Sequence, residues 1–347
     1  MKILHKTKAH VQALTPPLAQ VPFPSDNAER PTALLLRCPA AAQTPVTESP
    51  ALAELAGVAQ VLVKDERGRM GLGSFKALGA AYVIARDAED GRASGQTYVT
   101  ASAGNHGLSV AAGANAFGAK AVVYLAETVP EAFAQRLRDI GAEVRRHGAV
   151  YEQSMAAAAA AAEDNNWVLL SDSSWPGYFE RPHTLMEGYL VLMKEAVEQL
   201  QSAPSHIFLQ AGVGGLAAAC AVYARHAWGS EVQIIVVEPE AAPALFASVS
   251  AGSPQITTGP SSQMGRLDCK EPSLIALKGL ARDADHFMLI TEAEGALGHN
   301  VCADAGLAST PSGAAGVAGL LAAKSDQATF GLSETSRVLV ILSEEPT

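Results

Sequence analysis

Three short segments of this 347-residue chain carry side chains that can do chemistry together. The first is Gly71-Leu72-Gly73-Ser74-Phe75-Lys76-Ala77-Leu78-Gly79, where one lysine stands among small and apolar neighbours. A lysine at a packed helix start is partly stripped of water. Desolvation lowers its pKa and favours the free amine, which can form a Schiff base with a carbonyl compound. The second segment is Ser102-Ala103-Gly104-Asn105-His106-Gly107, which ends a strand and opens a helix. Its N–H groups and the Ser102 hydroxyl suit a carboxylate, and Asn105 can donate to a phenolate-like oxygen. His106 reads more readily as an orienting or packing residue than as a proton carrier. The third is Gly212-Val213-Gly214-Gly215-Leu216, which follows an apolar run and opens an alanine-rich helix. Glycines there let backbone N–H groups converge on one anion, and the helix dipole adds to the attraction.

A Schiff-base lysine, a carboxylate-binding turn and a phosphate cradle fit an enzyme that holds pyridoxal phosphate (PLP) and labilises amino acids. Each segment alone has a plainer reading. Lys76 can be a surface lysine, the second segment an ordinary capped helix and the third a tight packing turn. The glycine turn also admits a dinucleotide, with Glu238 after the next strand as the ribose partner. It reads GxGG and not GxGxxG, which argues against that use.

The elements that must position these segments follow from hydrophobic patterning. Strands are read at 61–63, 98–100, 121–125, 167–170, 206–209, 232–237 and 337–342. Helices are read at 74–85, 107–117, 130–140 and 181–200, and from the glycine turn to Trp228. This alternation predicts an α/β fold of two doubly wound parallel-sheet lobes. Two stretches echo each other as strand, glycine-containing turn, helix and strand: 98–125 and 206–237. Ligands of open α/β sheets sit beyond the carboxyl ends of strands, so both turns are expected to face a cleft between the lobes, with the PLP site in it. Residues 1–95 and 173–347 are expected to form a large cofactor-binding domain, and 96–172 a small mobile one. Residues 1–50 hold eight prolines and read as an irregular wrapping arm. The alanine run at 156–162 reads as a plain surface helix.

Composition narrows the classes. Apolar residues make up 48% of the chain, enough for a large core, and the net charge of −10 comes without a basic stripe. Nucleic acid is therefore not an expected partner. Cys38, Cys220, Cys269 and Cys302 are scattered and form no CxxC pair, which points to thiols in a reducing cytoplasm. No HExxH or close metal-ligand spacing occurs, so no metal is expected. The amino terminus lacks an apolar signal-like stretch, and no apolar run is long enough to span a membrane.

Taken together, the three segments resemble those of fold-type II PLP enzymes, the tryptophan synthase β and threonine dehydratase superfamily. The resemblance implies that Lys76 carries the Schiff base, beside Phe75, and that Asn105 faces the cofactor's 3′-oxygen. It implies phosphate binding by Gly212, Val213, Gly214, Gly215 and Leu216. Ser102, Ala103, Gly104, Asn105 and His106 would hold the substrate. Thr310-Pro311-Ser312-Gly313 resembles the superfamily's E-P-S-x-G segment, which implies that Ser312 faces the pyridine nitrogen. A serine there does not donate a full proton and so biases the chemistry towards β-elimination.

Further segments are similar to the diaminopropionate ammonia-lyase family: Lys64-Asp65-Glu66, Asp172 to Tyr178, Met186-Glu187-Gly188-Tyr189, Gln210 to Gly214, and Met264 to Cys269 with Glu271-Pro272. This implies a homodimer that takes a small amino acid such as 2,3-diaminopropionate to a 2-oxo acid and ammonia. Lys76 and Asp172 would be the catalytic residues. One departure stands out. Where that family carries an acid in its D-G-N-H turn, this chain has Ala103 after Ser102, closer to the serine and threonine dehydratases. Dehydration of a 3-hydroxy amino acid (serine, threonine or phenylserine type) is the alternative.

Overall fold

The computed structural model describes residues 1–346. Its strands are β1 (Lys2–His5), β2 (Val46–Glu48), β3 (Gln60–Asp65), β4 (Thr97–Ala101), β5 (Lys120–Leu125), β6 (Glu143–Arg146), β7 (Val168–Leu169), β8 (His206–Gln210), β9 (Gln233–Pro239), β10 (His286–Ile290) and β11 (Arg337–Leu342). A seven-stranded sheet has the order β1-β10-β9-β8-β11-β3-β2, and a four-stranded sheet the order β6-β5-β4-β7. The inner strands of the larger sheet pair in parallel, and β1 and β2 close its edges antiparallel. Every pairing in the smaller sheet is parallel. The α/β architecture with two parallel-sheet lobes is thus the observed one.

The uninterrupted apolar strands of the large sheet are explained by burial on both faces. Successive side chains point to opposite faces. Leu62, Ile207, Leu209, Leu339 and Ile341 enter one core, while Val61, Val63, Phe208, Val338 and Val340 enter the other.

Two expectations are corrected. Residues 1–50 contain β1, β2 and the helices Lys8–Leu14 and Glu29–Leu35, so they are not irregular throughout. The prolines mark boundaries: Pro16 and Pro17 follow the first helix, and Pro50 opens the helix Pro50–Ala56 behind the Ser49 cap. The alanine run lies in the helix Tyr151–Asn165, and Ala158, Ala161 and Ala162 are buried against Val99, Val122 and Tyr124. It is therefore a packed helix of the smaller lobe. Alanine keeps the helix axis close to the sheet.

Two switch points position the functional segments. In the larger sheet, β9 and β10 lie to one side of β8, and β11 and β3 lie to the other. The order reverses at β8/β11, and the glycine turn follows β8. In the smaller sheet it reverses at β4/β7. The Ser102 turn follows β4, and Asp172 follows β7. Crevices beyond strand ends at such reversals are where open α/β sheets bind ligands.

Lys76 opens the helix Lys76–Glu89, which crosses the helix Glu180–Gln199 closely. A β-carbon on Gly188 would lie 2.6 Å from the Leu78 carbonyl oxygen, so only glycine permits that approach. The loop before Lys76 is pinned by a buried charge cluster. Arg69 donates to Glu66 at 2.7 Å and to Glu195 at 2.6 Å, and Lys64 donates to Glu195 at 2.6 Å. Buried charges persist when mutually paired in this way.

Candidate active site

Lys76, Asp172, Tyr189, the Ser102–Asn105 turn and the glycine turn converge between the two sheets. The Lys76 ammonium donates to an Asp172 carboxylate oxygen. Its Nζ also lies 5.2 Å from the Phe75 ring centroid and 5.8 Å from that of Tyr189. Burial pulls the Lys76 pKa down, as the sequence implied. The Asp172 charge, with Tyr189, outweighs it, and the net shift is upward. The expectation of a free amine from desolvation alone is thus overturned by a partner 96 residues away. Burial likewise opposes ionisation of Asp172, but the Lys76 charge and its hydrogen bond hold the carboxyl well below the usual range.

In the second turn, the Ser102 hydroxyl accepts the Gly104 N–H at 3.3 Å and Ala103 is exposed. Gly104 caps the helix Asn105–Ala116 without a side-chain hydrogen bond, leaving the first N–H groups open. His106 is buried. Its Nε2 donates to the Leu170 carbonyl at 2.8 Å, which ties this helix to β7. Nδ1 is buried without a partner among the described residues, and burial lowers the pKa, favouring the neutral ring. Asn105 donates at 2.6 Å to Glu344.

The glycine turn opens the helix Gly215–Trp228, also without a side-chain cap. Gly214 has φ +99°, a left-handed conformation natural only to glycine. A β-carbon on Gly212 would lie 3.0 Å from Cys269 Sγ and 3.1 Å from Leu267 Cα. The Val213 carbonyl accepts the Ser273 N–H at 3.0 Å, which fixes the turn, and Leu216 is buried behind it. The Cys269 thiol beside the turn is pushed up to about 12 by burial and by Asp172, so it stays protonated. These features fit a phosphate: an uncapped helix start, a backbone kept bare by glycine and no acid in the turn. Replacing Gly214 with alanine should impose about 1–2 kcal/mol of backbone strain. We expect PLP to bind about tenfold more weakly to Gly214→Ala, as measured by fluorescence titration.

Ser312 is buried, and its hydroxyl accepts the Arg266 N–H at 3.1 Å. Thr310 donates to the Glu344 carboxylate and accepts the Gly313 N–H at 3.0 Å. Sequence reading passed over three residues here. Glu344 and Ser343 follow β11 at the switch point; the Ser343 carbonyl accepts the Phe75 N–H at 3.1 Å. Their position just after the apolar run of β11 was the available signal. Tyr189 was named only as part of a motif; its ring packs edge-on to Phe75 with centroids 4.9 Å apart. Glu238 is fully buried, and its carboxylate caps the helix Ala244–Ala251 by accepting the Leu245 and Phe246 N–H groups at 2.8 and 2.7 Å. It is therefore not presented to a ribose, and the dinucleotide reading fails.

A lysine with an acid partner, a carboxylate-ready turn and a phosphate-ready turn on two parallel sheets define a PLP-dependent enzyme of fold type II. The chain belongs to this family: the family model for pyridoxal-phosphate dependent enzymes matches residues 38–344. Among its members the chain is similar to diaminopropionate ammonia-lyase of Escherichia coli K12, at 32% identity over 88% of this chain and 84% of that enzyme. The crystal structure of the E. coli enzyme in complex with an aminoacrylate-PLP azomethine reaction intermediate superposes with a TM-score of 0.89. It is 28% identical and covers 99% of this chain and 93% of that one. Mouse L-serine dehydratase/L-threonine deaminase is 31% identical over 62% of this chain and 64% of its own length. PLP is the cofactor this family and these residues imply. Among the described residues, no helix is long and apolar enough to cross a membrane.

Proposed function

We propose that this protein is an ammonia-lyase that eliminates the β-substituent of a small 2-amino acid and releases a 2-oxo acid and ammonia. Juxtaposition of Lys76 with Asp172 carries the reading. PLP held at Lys76 and the glycine turn supplies the electron sink that makes the α-proton acidic. The residues of this chain do the rest. The Ser102 hydroxyl and the open Asn105 N–H hold the substrate carboxylate. Lys76 Nζ, as its free amine, takes the α-proton, and the ionised Asp172 beside it relays that proton to the departing group. Asn105 and Ser312 would hold the cofactor ring. His106 acts through position, locking the turn to β7.

Similarity to diaminopropionate ammonia-lyase favours 2,3-diaminopropionate as substrate. The Ser102-Ala103 pair and the likeness to serine dehydratase favour a 3-hydroxy amino acid. The same E. coli ammonia-lyase has also been crystallised in complex with D-serine. The unit built on the four-stranded sheet, residues 96–172, is proposed to close on substrate and exclude water during elimination. A homodimer in the cytoplasm accords with the family resemblance and the scattered thiols.

Release of 2-oxo acid by PLP-loaded protein tests the reaction, with 2,3-diaminopropionate, serine and threonine supplied as both enantiomers. Turnover of at least one is the expected result. No 2-oxo acid from any of them, nor from 3-hydroxyaspartate or serine O-sulfate, rejects the proposal.

A further inference from the structure

We propose that Arg266 selects the substrate by binding a second anionic group carried on its β-carbon; this rests on the elimination reaction proposed above. The Arg266 backbone is fixed between two parts of the site. Its N–H donates to Ser312, and its carbonyl oxygen would lie 3.2 Å from a β-carbon on Gly212. The side chain reaches across to the other lobe, where Nε would lie 3.9 Å from a β-carbon on Gly104.

The guanidinium is only half used. Nη1 donates to Glu344 at 3.2 Å. Nε is buried and has no acceptor among the described residues, and Nη2 makes no hydrogen bond there either. The free Nε/Nη2 edge is the fork that takes a carboxylate, sulfonate or sulfate with two parallel bonds. Glu344 cannot turn to supply that acceptor. Its two oxygens are held by Asn105, Thr310 and Arg266 Nη1, so it braces the guanidinium plane.

No other fixed cation is offered to the substrate at this turn. Ser102, Ala103 and Gly104 carry no charge, and Lys76 is committed to Asp172. The open helix start at Gly104 suffices for the α-carboxylate, leaving Arg266 for a second anion. A β-ammonium would meet the guanidinium unfavourably. Two substrate types share the required chemistry. In a 3-hydroxy amino dicarboxylic acid, Cα–H and Cβ–O break, Cα=Cβ forms and water leaves with the added proton. Tautomerisation and hydrolysis then give a 2-oxo dicarboxylic acid and ammonia, and the anion is retained. In a serine sulfate ester the Cβ–O bond breaks with its electron pair going to sulfate, so the anion itself leaves.

Aspartate and alanine, both enantiomers, test binding without elimination. Aspartate should raise the melting temperature of the PLP-loaded protein at concentrations where alanine does not. That difference should vanish in Arg266→Gln and shrink in Arg266→Lys, which keeps the charge but loses the fork. Under turnover, 3-hydroxyaspartate or serine O-sulfate should exceed serine in kcat/KM, and Arg266→Gln should reduce that ratio on the order of 30-fold or more. Preference for the first assigns a retained anion, and for the second a departing one. Equal stabilisation of wild type by aspartate and alanine overturns the proposal, whether or not the variants fold. So does an equal loss on serine and the dianionic substrates in Arg266→Gln, which would place Arg266 on the α-carboxylate. If no substrate yields 2-oxo acid, the elimination reading fails, and the aspartate–alanine comparison still reports on Arg266.

Discussion

Loaded with PLP, Lys76→Ala should lack the imine absorbance of the wild type and turn over substrate about 10⁴-fold more slowly, the upper end of the range for loss of a positioned base. The loss is large because one side chain serves two purposes: it holds the cofactor covalently and its amine takes the α-proton. Other lysines are poorly placed to substitute. Lys64 is fully buried and held by Glu195 at 2.6 Å, and Lys270 is held by Asp268 at 2.6 Å. An imine band that survives in Lys76→Ala would move the Schiff base elsewhere. The absorption spectrum and steady-state 2-oxo acid release check both halves of this expectation.

Asp172→Asn is expected to lower kcat by about 10²–10³-fold, because the departing group loses its proton relay while the fold persists. A second readout is the pH dependence of stability after PLP has been removed. In wild type the native Asp172 pKa is depressed and that of Lys76 raised. The pair's contribution is therefore full between the unfolded values of about 3.9 and 10.4. It is lost as pH falls through the native Asp172 value, or as pH rises through the native Lys76 value. In Asp172→Asn the burial of Lys76 loses its main opponent, and its native pKa is expected to fall below the unfolded one. The unfolded chain then binds more protons, and stability rises with pH up to about 10.4. Melting temperatures from pH 8 to 10 should be flat in wild type and climb in the variant. Parallel curves would show that Asp172 does not set the Lys76 charge.

Much of this site could be read from the chain because its parts are local. The glycine turn after β8 and the Ser102 turn after β4 are each a strand end, a bend and a helix start, all encoded within a few residues. What escaped was long-range. That Lys76 is held charged depends on Asp172, brought to it by the meeting of two sheets. Glu344 and Ser343 look like a polar tail after Leu342 until β11 is seen to lie beside β8. β6 reads Glu-Val-Arg-Arg and shows no apolar alternation, yet pairs with β5 through its backbone. β1 is too short to stand out and exists because β10 offers it an edge. In each case tertiary pairing, and not local propensity, decided the structure.

Reductive trapping tests the central claim most directly. PLP-loaded protein would be treated with borohydride, digested and mapped by mass spectrometry. The account predicts one phosphopyridoxyl group per chain, on Lys76. A label on another lysine, or none, would contradict it.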